Sequence, residues 1–275
     1  MPLAGLSAEA AVDVDRVAEA LGMITPRWSV RILLALSGGP LRQAGLKATL
    51  SPASSSQVHG KIEGLCEAGL VTRTEHSSHH VTYENTSRVP QLLAVLPTLA
   101  NWSKEHLESP QRELSQVEHV EDALALLTRR HTAAILWTLK SRGASSGRAL
   151  AALVMPHTSW TNIYPPVRQL LDDGLVDHEG TGSAYRLTEA GDALGPALAG
   201  LSMWASGRPV SQAPTHPVWG WTARSTPEHV EAARARRSAP PTTSTPPPSW
   251  KRAALFSHST TQSSLEGAVA GGQRR

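Results

Sequence analysis

The strongest constraint on the fold of this chain is an internal repeat. Residues 17–36 align with residues 120–139 without a gap. The two segments lie about 103 positions apart, which is the length of a small domain and exceeds the roughly 20 to 50 residues of a solenoid repeat. The repeat therefore predicts two domains of one fold, residues 1–109 (copy 1) and residues 110–209 (copy 2).

The alignment continues beyond these segments at nearly the same spacing. The matching pairs are Gly69 and Gly174, Tyr83 and Tyr185, Thr86 and Thr188, and Trp102 and Trp204. Because the spacing changes by only a few residues, copy 2 should contain the same elements in the same order as copy 1.

Copy 1 begins with the pattern of four short helices. Apolar residues at helical spacing, with breaks at glycine and proline, place these helices at residues 12–24, 26–37, 41–50 and 54–68. We expect Thr25 to cap the second helix and Pro26 to occupy its first position. The third and fourth helices, joined by a turn at residues 51–53, form a helix-turn-helix pattern.

The fourth helix is the candidate reading element. Val58, Ile62 and Leu65 form one apolar stripe, whereas serine, glutamine, histidine and lysine occupy the other face. A helix with many hydrogen-bonding groups and little charge suits the major groove of DNA. The alternative is a solvated helix face without a partner.

A hairpin and a closing helix follow in copy 1. Gly69 suits the left-handed end of the fourth helix, and residues 70–75 and 80–84 have the pattern of two strands around residues 76–79. This hairpin is the predicted wing. A last helix over residues 87–107 presents a broad apolar stripe for packing on another helix or subunit.

Copy 2 keeps this plan but changes the reading helix. Pro165 and Pro166 fall inside that helix, which must kink at the prolines or begin only there. The wing tip lacks arginine and histidine, so copy 2 should grip DNA less well than copy 1. The predicted helices are residues 118–127, 130–141, 147–154, 159–174 and 189–206, and the strands are residues 175–179 and 184–187.

The region from residue 210 has a different composition. It contains eight Arg or Lys residues against three Glu, so its charge is +5, whereas the whole chain carries +3. Residues 239–249 read APPTTSTPPPS, which cannot bury a core, and we expect residues 210–275 to be a largely disordered tail. Residues 226–237 favour a basic helix that adds a nonspecific phosphate contact, or else a solubilising tail without a partner.

Several classes of protein are excluded. No window of about 18 uninterrupted apolar residues and no secretory signal occur, so we expect no membrane association and a cytoplasmic location. The single cysteine, Cys66, excludes an intramolecular disulfide and favours a half-buried thiol over a redox switch. No phosphate loop or catalytic constellation is present, so we expect neither an enzyme nor a cofactor. His76, His79 and His80 lack a carboxylate shell, and we expect no metal there.

These residues resemble the HxlR-type winged helix-turn-helix regulators, a branch close to the MarR group. The likeness lies in residues 26–36, 65–71 and 99–102 of copy 1 and in residues 185–191 of copy 2. It departs from the family at Pro26 and Arg27, where glycine and lysine are frequent, and at His131, which replaces a tryptophan.

The resemblance implies a homodimeric transcription factor with terminal helices at its interface. In a duplicated chain, either the two copies pair as an intramolecular pseudo-dimer or the whole chain forms a homodimer. Several members carry a sensing cysteine where this chain has Asp15, so we expect no thiol sensing. Trp160 either lines a cleft between the copies for a small-molecule effector or is buried against the wing. The predicted pairing residues are Leu96, Leu99, Trp102, Leu198, Leu201 and Trp204.

The candidate DNA contacts divide by chemistry. Gln57 suits adenine, and Lys61 suits guanine or phosphate. Arg73 suits a phosphate at the wing base, or alternatively forms an ion pair with Glu75 or Glu84. The predicted contacts are Arg42, Lys47, Ser54, Ser55, Ser56, Gln57, His59, Lys61, Arg73 and His79 in copy 1, and Ser159, Thr161, Asn162 and Arg168 in copy 2.

The sequence thus predicts a mainly α-helical fold with small β-wings (α+β), built from tandem winged helix-turn-helix domains. The predicted function is DNA-binding transcriptional regulation, with the copy 1 recognition helix in the major groove of double-stranded DNA and the wing on the flanking backbone. The alternative is a degenerate winged-helix module that binds a protein partner or a small ligand without sequence-specific DNA binding.

Overall fold

The chain folds mainly into helices, with two small two-stranded antiparallel sheets, as the sequence predicts. The computed structural model describes residues 8–24, 27–50, 55–77, 80–107, 113–178, 180 and 184–220. Within these ranges, no helix has the length and apolar character needed to cross a membrane.

Helices and strands follow in the same order in the two halves of the chain. The first half contains α1 (Ala8–Met23), α2 (Ser29–Ala35), α3 (Gln43–Thr49), α4 (Ser55–Glu67), β1 (Val71–Ser77), β2 (His80–Asn85), α5 (Val89–Leu93) and α6 (Leu96–His106). The second half contains α7 (Gln116–Leu127), α8 (Thr132–Arg142), α9 (Gly147–Val154), α10 (Tyr164–Asp172), β3 (Val176–His178), β4 (Tyr185–Leu187), α11 (Glu189–Asp192) and α12 (Gly195–Ala205).

The start of α2 differs from the expectation. Trp28 is the residue that precedes the helix, and its side chain makes no capping hydrogen bond. Arg27 and Trp28 have φ values of 66° and 72°, and His131 before α8 has a φ of 66°. Such left-handed backbone is uncommon outside glycine, so both halves enter their second helix through a strained turn. The predicted cap, Thr25, and Pro26 lie outside the described residues.

Each predicted closing helix is divided into two helices. The segment predicted as residues 87–107 forms α5 and α6, and the segment predicted as residues 189–206 forms α11 and α12. Pro97 and Pro196 lie in the first turns of α6 and α12. A proline has no N–H to donate to the preceding turn, so the chain starts a new helix there.

The proline pair of the second half marks the start of its helix and not a kink. Residues Trp160–Ile163 form a 3-10 turn, and α10 begins only at Tyr164, with Pro165 and Pro166 in its first turn. The second wing is also smaller, since β3 and β4 have three residues each against seven and six in β1 and β2.

Reciprocal hydrogen bonds join the two halves across one shared hydrophobic core. The indole N–H of Trp102 donates to the carbonyl of Ala190 at 2.8 Å, and that of Trp204 donates to the carbonyl of Arg88 at 2.9 Å. Trp102 aligns with Trp204 and Arg88 with Ala190, so each half makes the same bond to the other, as in a two-fold interface. The buried residues here include Leu96, Leu99, Trp102, Leu198, Leu201 and Trp204.

Helix packing and an ion pair add to this interface. Helix α1 packs on α12, and correspondingly α7 packs on α6. A Cβ atom on Gly200 would lie 3.1 Å from Val95, so glycine permits this close approach. Arg31 of α2 donates two hydrogen bonds to the Glu121 carboxylate of α7, at 2.8 and 2.7 Å, and the backbone N–H of Trp28 donates to the same carboxylate at 3.4 Å.

The predicted disordered tail does not begin at residue 210. Residues 210–220 pack against α12, where His216 and Trp219 are buried. A Cβ atom on Gly220 would lie 2.4 Å from the carbonyl oxygen of His216, so only glycine fits this turn. The sequence did not predict this packing, because the buried apolar residues Ala213 and Trp219 lie among Pro and Ser. Residues 221–275 lie outside the described residues.

His216 joins a buried polar cluster around Asp13. The Asp13 carboxylate accepts hydrogen bonds from the Trp137 indole at 2.8 Å and from the Ser202 hydroxyl, and His216 Nε2 lies 3.2 Å from it. Because His216 Nδ1 accepts the backbone N–H of Trp219 at 3.0 Å, the ring donates to Asp13 through Nε2. Burial raises the pKa of Asp13, but the hydrogen bonds from His216, Ser202 and Trp137 outweigh it. The pKa therefore lies below its ordinary value of 3.8.

We expect Asp13→Asn to lower the free energy of unfolding by about 2–3 kcal/mol at pH 7, because it removes charged hydrogen bonds inside the core. The folded pKa is lowered, so this stabilisation is present above the unfolded value of 3.8 and is lost as the pH falls through the folded pKa. Urea unfolding at pH 7 and at pH 3 measures both effects. The control is Asp15→Asn, at an exposed position of the same helix. Equal losses in the two variants would contradict the role of Asp13.

A second prediction concerns the ion pair between the halves. Glu121→Ala should cost about 2–3 kcal/mol, less than the roughly 3–5 kcal/mol of a fully buried pair, because the Arg31 side chain keeps 34% exposure. Replacing both partners, as Arg31→Met with Glu121→Leu, should restore most of the stability. Asp192→Ala, which breaks the exposed pair with Lys140, should cost about 0–1 kcal/mol. The account fails if Glu121→Ala costs no more than this control.

Candidate nucleic-acid interface

Helix α4 lies across α2 and α3 through its apolar stripe. Val58, Ile62 and Leu65 are buried together with Leu46 of α3, as the sequence predicts. The 3.6-residue period of the helix therefore turns the intervening polar residues away from the core. This packing fixes the orientation of the polar face relative to α3.

The N-terminal part of α4 presents neutral polar side chains to solvent. Ser56, Gln57 and His59 are exposed. His59 Nε2 lies 3.1 Å from the Glu63 carboxylate, one turn further along the helix. Ser54 lies outside the described residues, and Ser55 is the first residue of α4. In helix-turn-helix proteins, the N-terminal residues of the second helix contact base edges.

Lys61 is half-buried and lies one helical turn after Gln57, so the two residues share a side of α4. Lys61 lines a groove of about 420 Å³ together with Glu19, Gly22 and Met23 of α1. Unlike Gln57, which is exposed, Lys61 is therefore partly covered by α1.

Two predicted phosphate contacts lie at the ends of α3. Arg42 and Lys47 are exposed at the start and in the last turn of α3. Leu41 pairs with Tyr83 of β2 through two backbone hydrogen bonds of 3.0 and 2.9 Å, which places Arg42 next to the wing. Desolvation, followed by the charges of Arg42 and His76, lowers the pKa of His80 on β2.

An arginine of the wing forms an ion pair within its own strand. Arg73 Nη2 lies 3.1 Å from the Glu75 carboxylate, and both side chains are about half exposed. Of the two ion-pair partners that the sequence left open, Glu75 is the one observed. An exposed pair of this kind contributes little stability, so Arg73 can exchange Glu75 for a phosphate at small cost. His79 lies outside the described residues.

Cys66 shows no sign of an activated thiol. It is half-buried on α4, and burial raises the pKa of its thiol despite the opposing charge of Arg73. A thiol with a raised pKa is a poor nucleophile at neutral pH. This agrees with the expectation of a packing residue.

The sequence that leads into α4, and the N-terminal part of α4 itself, contain cations but no carboxylate. No aspartate or glutamate occurs between Glu19 and Glu63, a stretch that includes Arg42, Lys47 and the N-terminal part of α4. The acidic residues Glu63 and Glu67 occupy only the C-terminal part of the helix. A surface with cations, amides and hydroxyls but without carboxylates is suited to a polyanion.

The predicted contacts of the second half are exposed, but most of them lie in a turn before the helix and not on the helix itself. Ser159, Thr161 and Asn162 are exposed in the turn before α10, and Arg168 is exposed on α10. The Ser159 and Thr161 hydroxyls are hydrogen-bonded to each other at 2.8 Å. Trp160 is 47% exposed, so it is not buried against the wing.

A groove of about 820 Å³ lies beside this turn. Its polar lining residues are Arg130, His131, His157, Thr158 and Asn162, and no carboxylate is among the described residues that line it. Its apolar wall comprises Val154, Met155, Pro156, Pro165 and Pro166. The volume is that of a small-molecule site.

The sequence did not predict the polar contacts that join distant parts of the chain. Asp13, Glu121 and His216 are isolated polar residues on otherwise apolar or irregular segments, and only their packing reveals their partners. The absence of carboxylates from the reading segments is visible in the sequence and was a usable signal.

Comparison with known proteins agrees with this geometry. Residues 23–111 match the sequence model of the family described as HxlR-like helix-turn-helix. No curated protein and no solved structure matched the chain. The family consists of transcriptional regulators and not of enzymes, as expected from the sequence. Residues 23–111, which include α2 to α6, are therefore an HxlR-like helix-turn-helix domain, and this type of domain indicates DNA-binding transcriptional regulation.

Proposed function

We propose that the chain regulates transcription by placing α4 in the major groove of double-stranded DNA and the β1–β2 wing on the flanking backbone. The observation that carries this proposal is the surface formed by α3 and the N-terminal part of α4. It exposes Arg42, Lys47, Ser56 and Gln57 in a stretch without any carboxylate. Cations that contact phosphates fix the register, and Gln57 then reads base edges.

We also propose that the second half is a second winged helix-turn-helix and that the halves form an intramolecular pseudo-dimer. The reciprocal bonds of Trp102 and Trp204 support this arrangement. The faces predicted to pair are covered within one chain, which disfavours a homodimer through the same helices. A pseudo-dimer of this kind presents two reading elements at a fixed separation, and a cytoplasmic location gives it access to DNA.

The groove beside α10 supports two further possibilities. The first is a small-molecule effector that binds next to Arg130, His131 and Asn162 and alters the reading turn of the second half. The second is the alternative function, a module that binds a small ligand or a protein and no longer binds DNA. Selection from a random duplex library at low salt separates the two possibilities. A DNA-binding regulator should enrich a duplex, whereas the alternative function predicts that no duplex is enriched.

Arg42→Ala should weaken binding to every duplex and reduce the slope of log Kd against log salt by about one, because one phosphate contact is lost. This slope is measured by fluorescence anisotropy at salt concentrations from about 50 to about 200 mM, where phosphate contacts make the affinity strongly salt-dependent. The matched control is Lys104→Ala, which removes an exposed cation from α6. Equal slopes for the two variants would remove Arg42 from the interface.

Gln57→Ala tests base reading separately from backbone binding. At the selected sequence it should cost about 1–3 kcal/mol, whereas binding to an unrelated duplex should not change. Gln91→Ala, at an exposed position of α5, should leave both affinities unchanged. If Gln57→Ala weakens binding to both duplexes equally, Gln57 contacts only the backbone or supports the fold.

A further inference from the structure

We infer that Trp160 and Tyr164 form an apolar reading surface that contacts thymine methyl groups in the DNA half-site bound by the second half. This inference rests on the proposed DNA-binding function. It assigns a specific chemistry to the second half, where the sequence predicts only weaker contact.

Among the described aromatic residues, the exposure of this pair is unusual. Trp160 and Tyr164 are 47% and 42% exposed, whereas Trp28, Trp137 and Trp219 are buried. The two rings contact each other edge to face, with centroids 5.7 Å apart. This geometry is favourable for aromatic pairs and holds Trp160 in place without covering it.

The pair lies where the first half has its reading residues. Pro165 and Pro166 delay the start of α10, so the residues that would form its N-terminal turn instead form the 3-10 turn that carries Trp160. The neighbours of Trp160 in this turn, Thr161 and Asn162, are exposed and polar. Residues at this point of a helix-turn-helix are those that reach base edges.

The aromatic surface continues towards the second wing. A Cβ atom on Gly147 would lie 3.3 Å from the Tyr164 ring and 3.5 Å from the Tyr185 ring, so both rings pack against this glycine. The Tyr185 ring in turn contacts His178 across the β3–β4 hairpin, with centroids 5.7 Å apart. The rings therefore extend from the reading turn to the wing.

The charges around the pair favour DNA over a protein partner. No aspartate or glutamate occurs between Asp122 and Asp172. Arg168 follows Tyr164 by one helical turn, and Arg148 follows Gly147, and both are exposed. Exposed apolar rings with exposed arginines nearby in the sequence suit a base edge and its neighbouring phosphates.

Thymine is the base that fits such a surface. In the major groove, its 5-methyl group is the only apolar group that a base pair presents. Burial of one methyl group against an aromatic ring contributes about 0.8 kcal/mol, which corresponds to roughly a fourfold change in affinity.

The test replaces thymine by uracil, which lacks only this methyl group, in a duplex selected by the full chain. Base substitutions in the half-site of the second half should cost the same affinity in the unaltered chain and in Gln57→Ala, and this identifies that half-site. Uracil there should weaken binding of the unaltered chain by roughly fourfold per contacted methyl. The Trp160→Ala variant should bind the thymine duplex more weakly and show no further loss with uracil. Uracil in the other half-site should affect both proteins equally.

The outcomes separate this inference from the proposed function. A chain that binds a selected duplex with equal affinity for thymine and uracil retains the proposed function and overturns the inference. An equal uracil effect in the unaltered chain and in Trp160→Ala also overturns it. A chain that binds no duplex at low salt overturns both. Because Trp160 is exposed, its replacement should leave the thermal unfolding temperature unchanged, and circular dichroism verifies this.

Discussion

The structure depends on the mutual burial of the apolar helices of its two halves. A winged helix of about 100 residues has a small core, and its terminal helices expose apolar stripes that need a partner. Here α1 packs on α12, α7 packs on α6, and the Trp102 and Trp204 indoles each bond to the opposite half. Because both partners belong to one chain, pairing does not depend on protein concentration.

Covalent linkage also allows the halves to differ. In a homodimer every substitution occurs twice, whereas here the first half keeps Ser56 and Gln57 on a regular helix and the second half has Trp160 and a proline pair. Among the described residues, the ion pair of Arg31 with Glu121 and the cluster of Asp13 with His216 have no counterpart in the other half. Under the proposed function, this asymmetry would suit two unlike half-sites, which a symmetric dimer reads poorly.

The sequence predicted the local elements well because their signals are local. The apolar stripe of Val58, Ile62 and Leu65, the glycine that ends α4 and the proline pair each act within a few residues. The sequence did not predict that His216 is a partner of Asp13, since the two residues lie 203 positions apart. It also did not predict the packing of residues 210–220 against α12, because the few apolar residues of this segment lie among Pro and Ser. It did not predict that α1 partly covers Lys61, because that contact depends on how α1 and α4 pack.

The central claim is that one chain supplies both reading elements. The most direct test is the mass of the protein–DNA complex, by native mass spectrometry or light scattering, on a selected duplex whose footprint is mapped. The pseudo-dimer predicts one chain per duplex and protection of two half-sites about 10 base pairs apart from centre to centre. Two chains bound to a footprint of that length, or one chain that protects a single half-site, would contradict it.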